Sequence, residues 1–155
     1  MKIWVDADSC PVRIRQITAK AGERLKLPVI FAANREIPVP KGASMVVTEN
    51  TEQAADLYIT ENSAEGDLAI TRDIPLAKLL VDKGLYVIND RGTIFTRDNI
   101  NTYLSARNFM YELQANGLAP EKTNSFGKKE IQKFSNLLDS ILAKALKQRP
   151  RDSRF

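Results

Sequence analysis

The sequence predicts an α/β protein: a three-layer parallel sheet of about five strands, with further helices toward the carboxyl terminus. Three observations carry that expectation. Short apolar, β-prone runs alternate with amphipathic helical segments from residue 3 to residue 88. The strand-like runs are apolar on both faces, as strands covered by helices on each side must be. From Arg97 onward the periodicity turns wholly helical.

Ile3, Trp4 and Val5 form the first such run and read as a strand buried on both faces. Pro11 suits the first turn of a helix, with Ser9 or Cys10 as its cap. Val12 to Leu25 continues that helix, with Ile14, Ile17, Ala21 and Leu25 on one stripe. Val29 to Ala33 is a second strand, ending at Asn34. The span 37–42 holds two prolines and a glycine and reads as a loop. Met45 to Thr48 is a short third strand, and Thr51 is the expected cap of a helix reaching about Ser63. Gly66 turns the chain into a fourth strand, 67–71. Asp73 and Pro75 introduce a helix carrying Leu76, Leu79 and Leu80, which stops at Gly84. Leu85 to Ile88 is a fifth strand. Two helical segments complete the pattern. One has Ile100, Tyr103, Leu104, Phe109 and Leu113 as its apolar stripe; the other has Ile131, Phe134, Leu137, Leu138, Ile141 and Leu142. Residues 1–146 are expected to form one domain, and 147–155 a basic, flexible tail.

Hydrophobic residues make up 43% and charged residues 27% of the 155, the balance of a soluble globular domain with a real core. No apolar run approaches a membrane span and the start lacks a signal-peptide pattern, so no membrane association is expected. The single cysteine excludes an internal disulfide and fits a reducing, cytoplasmic setting. The absence of histidine excludes more. Structural zinc sites, Ser-His-Asp and Cys-His catalysis and histidine acid/base pairs are all ruled out. Chemistry must run on carboxylates, hydroxyls, Lys or Arg. Charge is unevenly spread: residues 1–100 carry 13 Lys/Arg against 14 Asp/Glu, and residues 101–155 carry 10 against 5. An acidic-leaning body with a basic helical end can steer a polyanion toward a carboxylate site, although basic ends also serve solubility alone.

In a parallel sheet, ligands gather beyond the carboxyl ends of the strands, where strand order switches. That sorts the acids. Asp6 and Asp8 close the first strand, two residues apart and so on the same side of an extended chain. Asp73 lies just past the fourth strand, Asp90 past the fifth, and Asn34 past the second. Paired carboxylates at Asp6 and Asp8 require a proton or a cation; alternatively, Asp8 complements the helix start while Asp6 sits in solvent. Asp67 begins the fourth strand, roughly 13–20 Å from the others at ~3.3 Å per residue, and reads as turn chemistry beside Gly66. Asp56 shares a polar helical face with Glu52, Thr60 and Ser63, and becomes a ligand only if that helix start leans over the strand ends. Arg72 is a candidate phosphate clamp or a plain exposed arginine. Cys10 has no histidine to serve as its base and reads as a small half-buried residue. The 11 aromatic residues fall mostly at apolar periodic positions, so no base-stacking platform is evident.

The runs at 3–11 (Ile-Trp-Val-Asp-Ala-Asp-Ser-Cys-Pro) and 66–77 (Gly-Asp-Leu-Ala-Ile-Thr-Arg-Asp-Ile-Pro-Leu-Ala) are specific together. With Ala55 and Asp56, Asn89 to Gly92, Asn99 and Ile100, and Arg107 to Met110, they closely resemble the YaiI/YqxD family of bacterial proteins. The resemblance runs from residue 3 to about Leu142. That family looks like a branch of the PIN-like nuclease fold, in which acids bind Mg²⁺ or Mn²⁺ for phosphodiester hydrolysis. Those acids follow the first strand, sit on a middle helix and follow a later strand. The resemblance implies Asp6, Asp8, Asp56 and Asp73 as metal ligands, with Asp6, Asp8 and Asp73 the catalytic acids. Beside them, Asn34, Arg72 and Asp90 are candidates for contacts to the metal's waters or to a phosphate. One departure is that the family pattern has a further Asp where this chain has Gln53.

The leading expectation is a metal-dependent phosphodiesterase acting on RNA or single-stranded nucleic acid, with Mg²⁺ or Mn²⁺ as cofactor. One alternative is a non-catalytic PIN-like module that binds nucleic acid or protein, to which Gln53 and the lack of a stacking platform lend weight. The other is a haloacid-dehalogenase-like phosphatase with Asp6 as nucleophile and Asp8 as general acid. Its later Gly-Asp word should follow a strand, whereas Gly66 and Asp67 precede one.

Overall fold

A computed structural model describes residues 1–8, 10–51, 53–118 and 126–148. Its first strand, β1 (Ile3–Asp6), is apolar on both sides, and burial follows: Ile3 and Val5 turn to one core, Trp4 to the other. Such a strand needs neighbours on both edges and helices over both faces. The elements that supply them are α1 (Val12–Leu25), β2 (Val29–Ala33), β3 (Ser44–Val47), α2 (Ala54–Asn62), β4 (Leu68–Ile70), α3 (Ile74–Lys83), β5 (Tyr86–Ile88), β6 (Ile94–Phe95), α4 (Ile100–Ala115) and α5 (Lys128–Gln148).

Among the described residues the sheet has six strands in the order β3-β2-β1-β4-β5-β6. β1 pairs in parallel with β2 on one edge and β4 on the other, so strand order reverses between β1 and β4. One core packs α1 and α5 against the sheet through Ile14, Phe31, Phe134 and Leu138. The opposite core packs α2 and α3 through Trp4, Ile59, Leu76 and Leu80, with Ile100 at the start of α4. Burying each such large side chain contributes about 1.5–3 kcal/mol.

The α/β alternation and three layers are as expected, and α1 and β2 have the expected bounds. Five differences have physical reasons. The sheet gains β6, two residues paired antiparallel to β5, too short to show any periodicity. Helix α1 is preceded by Pro11 as its cap residue, not Cys10, and carries no side-chain cap bond; Ser9 lies outside the described residues. Thr51 does not cap α2, which starts from Gln53 in the left-handed region at φ 71. Ser63 is buried and ends that helix instead of sharing an open polar face, while Glu52 lies outside the described residues.

The fifth difference concerns α4. Its only buried residue is Ile100; Phe109 is 59% exposed and Tyr103 40%. Periodicity reports an amphipathic helix but not whether anything covers it. At the other end of the chain α5 includes Lys147 and Gln148, and 149–155 of the expected tail lie outside the described residues. Among the described residues no helix is long and apolar enough to cross a membrane.

Candidate functional site

Where β1 and β4 end side by side, their last residues meet. The Thr71 hydroxyl donates to Asp6 Oδ2 at 2.9 Å and accepts the Asp73 backbone N–H at 3.0 Å. Asp73 then caps α3: its Oδ1 accepts the Leu76 N–H at 2.9 Å, with Pro75 in the first turn where no N–H is needed. On the other side, the Ala7 N–H reaches the Ala32 carbonyl at 2.9 Å and holds the loop against β2. This sets both oxygens of Asp8 near the Asn34 backbone N–H, at 3.3 and 3.4 Å. Asn34 thus meets the site through its main chain. The start of α2 does lean over the strand ends, bringing the Asp56 carboxyl toward those of Asp73, Asp6 and Asp8.

Asp6, Asp8, Asp56 and Asp73 therefore share one cleft of about 620 Å³. Their mutual electrostatics are unfavourable. Burial pushes the Asp56 carboxyl up to about 7, and Asp73, Asp6 and Asp8 add to it. Burial likewise raises Asp6 to about 6; the Thr71 bond opposes this, and Asp73 and Asp8 reinforce it. The far wall comes from α3 and α4, with Leu79, Arg107 and Tyr111.

Residues 4–144 match the family model described as "Uncharacterized BCR, YaiI/YqxD family". The chain belongs to this YaiI/YqxD family. Similar proteins include a UPF0178 protein of Treponema denticola, 97% identical over the whole of both chains. One of Treponema pallidum is 48% identical over 95% of this chain and 84% of that one. One of Syntrophobacter fumaroxidans is 44% identical over 95% and 97% respectively. No solved structure matches the chain at a significant level.

The remaining candidates of this YaiI/YqxD protein lie apart from the cleft or enter it differently. Asp90 does not line the cleft; it is 3% exposed and receives both Nε (2.8 Å) and Nη2 of Arg72 through one oxygen, Oδ2. Arg72 is thus neither a free clamp nor a plain surface arginine, since it lines the cleft while anchored sideways to Asp90. Cys10 is buried, and burial pushes its thiol up to about 12, the reverse of an activated cysteine. Asp67 sits at the opposite end of the sheet. Its carboxylate accepts the Lys2 N–H at 2.9 Å, Trp4 Nε1 at 3.0 Å and the Ala64 N–H at 3.0 Å. That pins the start of β1 to the turn before β4, a larger role than turn chemistry alone.

The donor set of the YaiI/YqxD cleft is hard oxygen, which suits Mg²⁺ or Mn²⁺. Among the described residues, no three His, Cys, Asp or Glu side chains are arranged to hold a metal as they stand. A magnesium-like ion does not need that. It keeps several waters and takes one or two carboxylates directly, so the set fits such an ion in its chemistry. Three residues escaped the sequence reading. Thr71 was hidden inside a strand word, and its proximity to Asp6 follows only from β1–β4 pairing. Arg107 is named only within the resemblance and Tyr111 lies off the apolar stripe, so neither carries a site role in the sequence reading. Their i, i+4 spacing was the available signal.

Proposed function

We propose that this YaiI/YqxD protein is a metal-dependent phosphodiesterase acting on RNA or single-stranded nucleic acid. The observation that carries the reading is the meeting of Asp6, Asp8, Asp56 and Asp73 in one cleft at the strand-order switch. Asp6 and Asp73 would hold Mg²⁺ or Mn²⁺, with Asp8 and Asp56 as direct ligands or partners of its waters. A bound ion there supplies neutralisation of phosphoryl charge and a more acidic water. The chain's own contribution is orientation. Thr71 fixes Asp6 and the Asp73 main chain together, and Asn34 N–H restrains Asp8. Asp56, with a carboxyl raised to about 7, is suited to take a proton at neutral pH.

Incubating the protein with long single-stranded RNA and Mn²⁺ tests this, and cleavage that Asp73→Asn abolishes is the expected result. A second reading, a binding module that does not cut, is favoured by Gln53, an uncharged side chain lining the cleft beside its acids. It predicts retained RNA under the same conditions. The phosphatase reading is disfavoured by Asp67, whose carboxylate is occupied with Trp4 and two main-chain donors at the far end of the sheet.

A further inference from the structure

We propose that Tyr111, backed by Arg107, is a base-stacking site that holds a single-stranded nucleic acid across the carboxylate cleft. The inference rests on the nucleic-acid reading given above and names the part of the substrate that the α4 wall would recognise. The Arg107 guanidinium carbon lies 4.4 Å from the Tyr111 ring centroid. Both residues line the same cleft as the four aspartates. Tyr111 is 53% exposed, too open for a tyrosine that serves a core. A guanidinium over one side of the ring orients it at the cleft wall. An aromatic so held accepts a base of any identity, and the arginine adds a positive charge for a neighbouring phosphate.

The distribution of chemistry across the cleft supports a nucleotide rather than a bare anion. Its floor is acidic and repels phosphate until a cation neutralises it, whereas its α4 wall is cationic and aromatic. Leu57, Pro75 and Leu79 place apolar surface nearby, which suits the face of a base. A duplex keeps its base faces stacked internally, so the site selects single strands. The exposed Phe109 and Leu118 on the same segment suit a protein surface instead, but neither lines the cleft.

The test is fluorescence anisotropy with a short labelled phosphorothioate oligothymidylate in Mn²⁺, beside an abasic chain of equal length. Tyr111→Ala should weaken oligothymidylate binding roughly 5- to 150-fold, the range for losing one base–aromatic stack. Tyr111→Phe keeps the ring and should bind within about 2-fold of the parent, since stacking needs only the π-face. The abasic chain should bind parent and Tyr111→Ala alike. Thermal melts establish that each variant is folded. If Tyr111→Ala binds oligothymidylate as the parent does, the stacking site is wrong while the nuclease reading survives. If the folded parent neither binds nor cuts any single strand in Mn²⁺, both fall. If Tyr111→Ala instead lowers the sedimenting mass, α4 is an interface between copies and the proposal is overturned.

Discussion

Thr71 Oγ1 lies 2.9 Å from Asp6 Oδ2, joining the ends of β4 and β1 where strand order reverses. The same hydroxyl receives the Asp73 N–H, so one uncharged side chain aligns two of the cleft's carboxylates. Thr71→Val keeps the shape and removes both bonds. It should cost about 1–3 kcal/mol, because buried partners are left unpaired. Thr71→Ser retains the hydroxyl and should lose only about 1 kcal/mol for the missing methyl. Urea unfolding of the pair decides it; equal stability would mean that the hydroxyl aligns nothing.

Stability should depend on pH through the same cluster. Burial and neighbouring carboxylates raise Asp6 to about 6 and Asp56 to about 7 in the folded protein. Groups raised on folding hold protons better in the native state. Their stabilising contribution is complete below about pH 4 and is lost as pH rises through 6 to 7. Asp56→Asn cannot ionise. It should match the parent near pH 4 and exceed it at pH 8 by about 1 kcal/mol, a figure discounted for the solvent screening of a half-buried group. Melting curves across that range would show a widening gap; a constant gap would remove the electrostatic argument.

Divalent cations should replace the missing protons. At pH 8, free Mn²⁺ at about 100 times its dissociation constant should add roughly 2.7 kcal/mol. Asp73→Asn should abolish that increment without harming the start of α3, since asparagine caps a helix as well as aspartate does. Asp67→Asn should do the opposite. It sets an amide nitrogen against at least one of the three N–H donors at a cost of about 1–3 kcal/mol, yet keeps the metal response. Calorimetric melts with and without Mn²⁺ separate the two, and a metal response lost with Asp67 would reverse the assignment of ends.

Gly92 is expected to tolerate no side chain. It has φ +81, and a Cβ would fall 2.7 Å from the Lys133 backbone carbon on α5. Gly92→Ala should destabilise by about 2–4 kcal/mol, from left-handed backbone and overpacking together. Denaturation midpoints measure this directly, and a loss below 1 kcal/mol would show that α5 yields easily there.

The extent to which the chain was legible varies with the range of the interaction. Local signals were reliable: Val12 to Leu25 and Val29 to Ala33 have their expected bounds, and Gly84 ends α3 as a left-handed cap. Strand direction was enough to separate Asp67 from Asp6 and Asp73. Asp90 was harder, because its place past β5 resembles a site position while its partner, Arg72, is a tertiary choice. The aromatics of α4 show the same limit. Phe109 has the same spacing and polarity whether a helix face is covered or open. Helix caps also misled, since Thr51 is a better intrinsic cap than Gln53 but the chain turns two residues later.

Gln53 carries a consequence of its own. Its left-handed backbone at φ 71 is one that aspartate, asparagine or glycine enters more readily than glutamine. Position 53 is exposed at the rim of the cleft. The bend at position 53 thus suits an aspartate better than the glutamine that occupies it. Gln53→Asp would ask no rearrangement of α2 and would relax the bend while adding negative charge. One surface position thus works as a dial on the charge of the cleft, turned without disturbing the scaffold behind it.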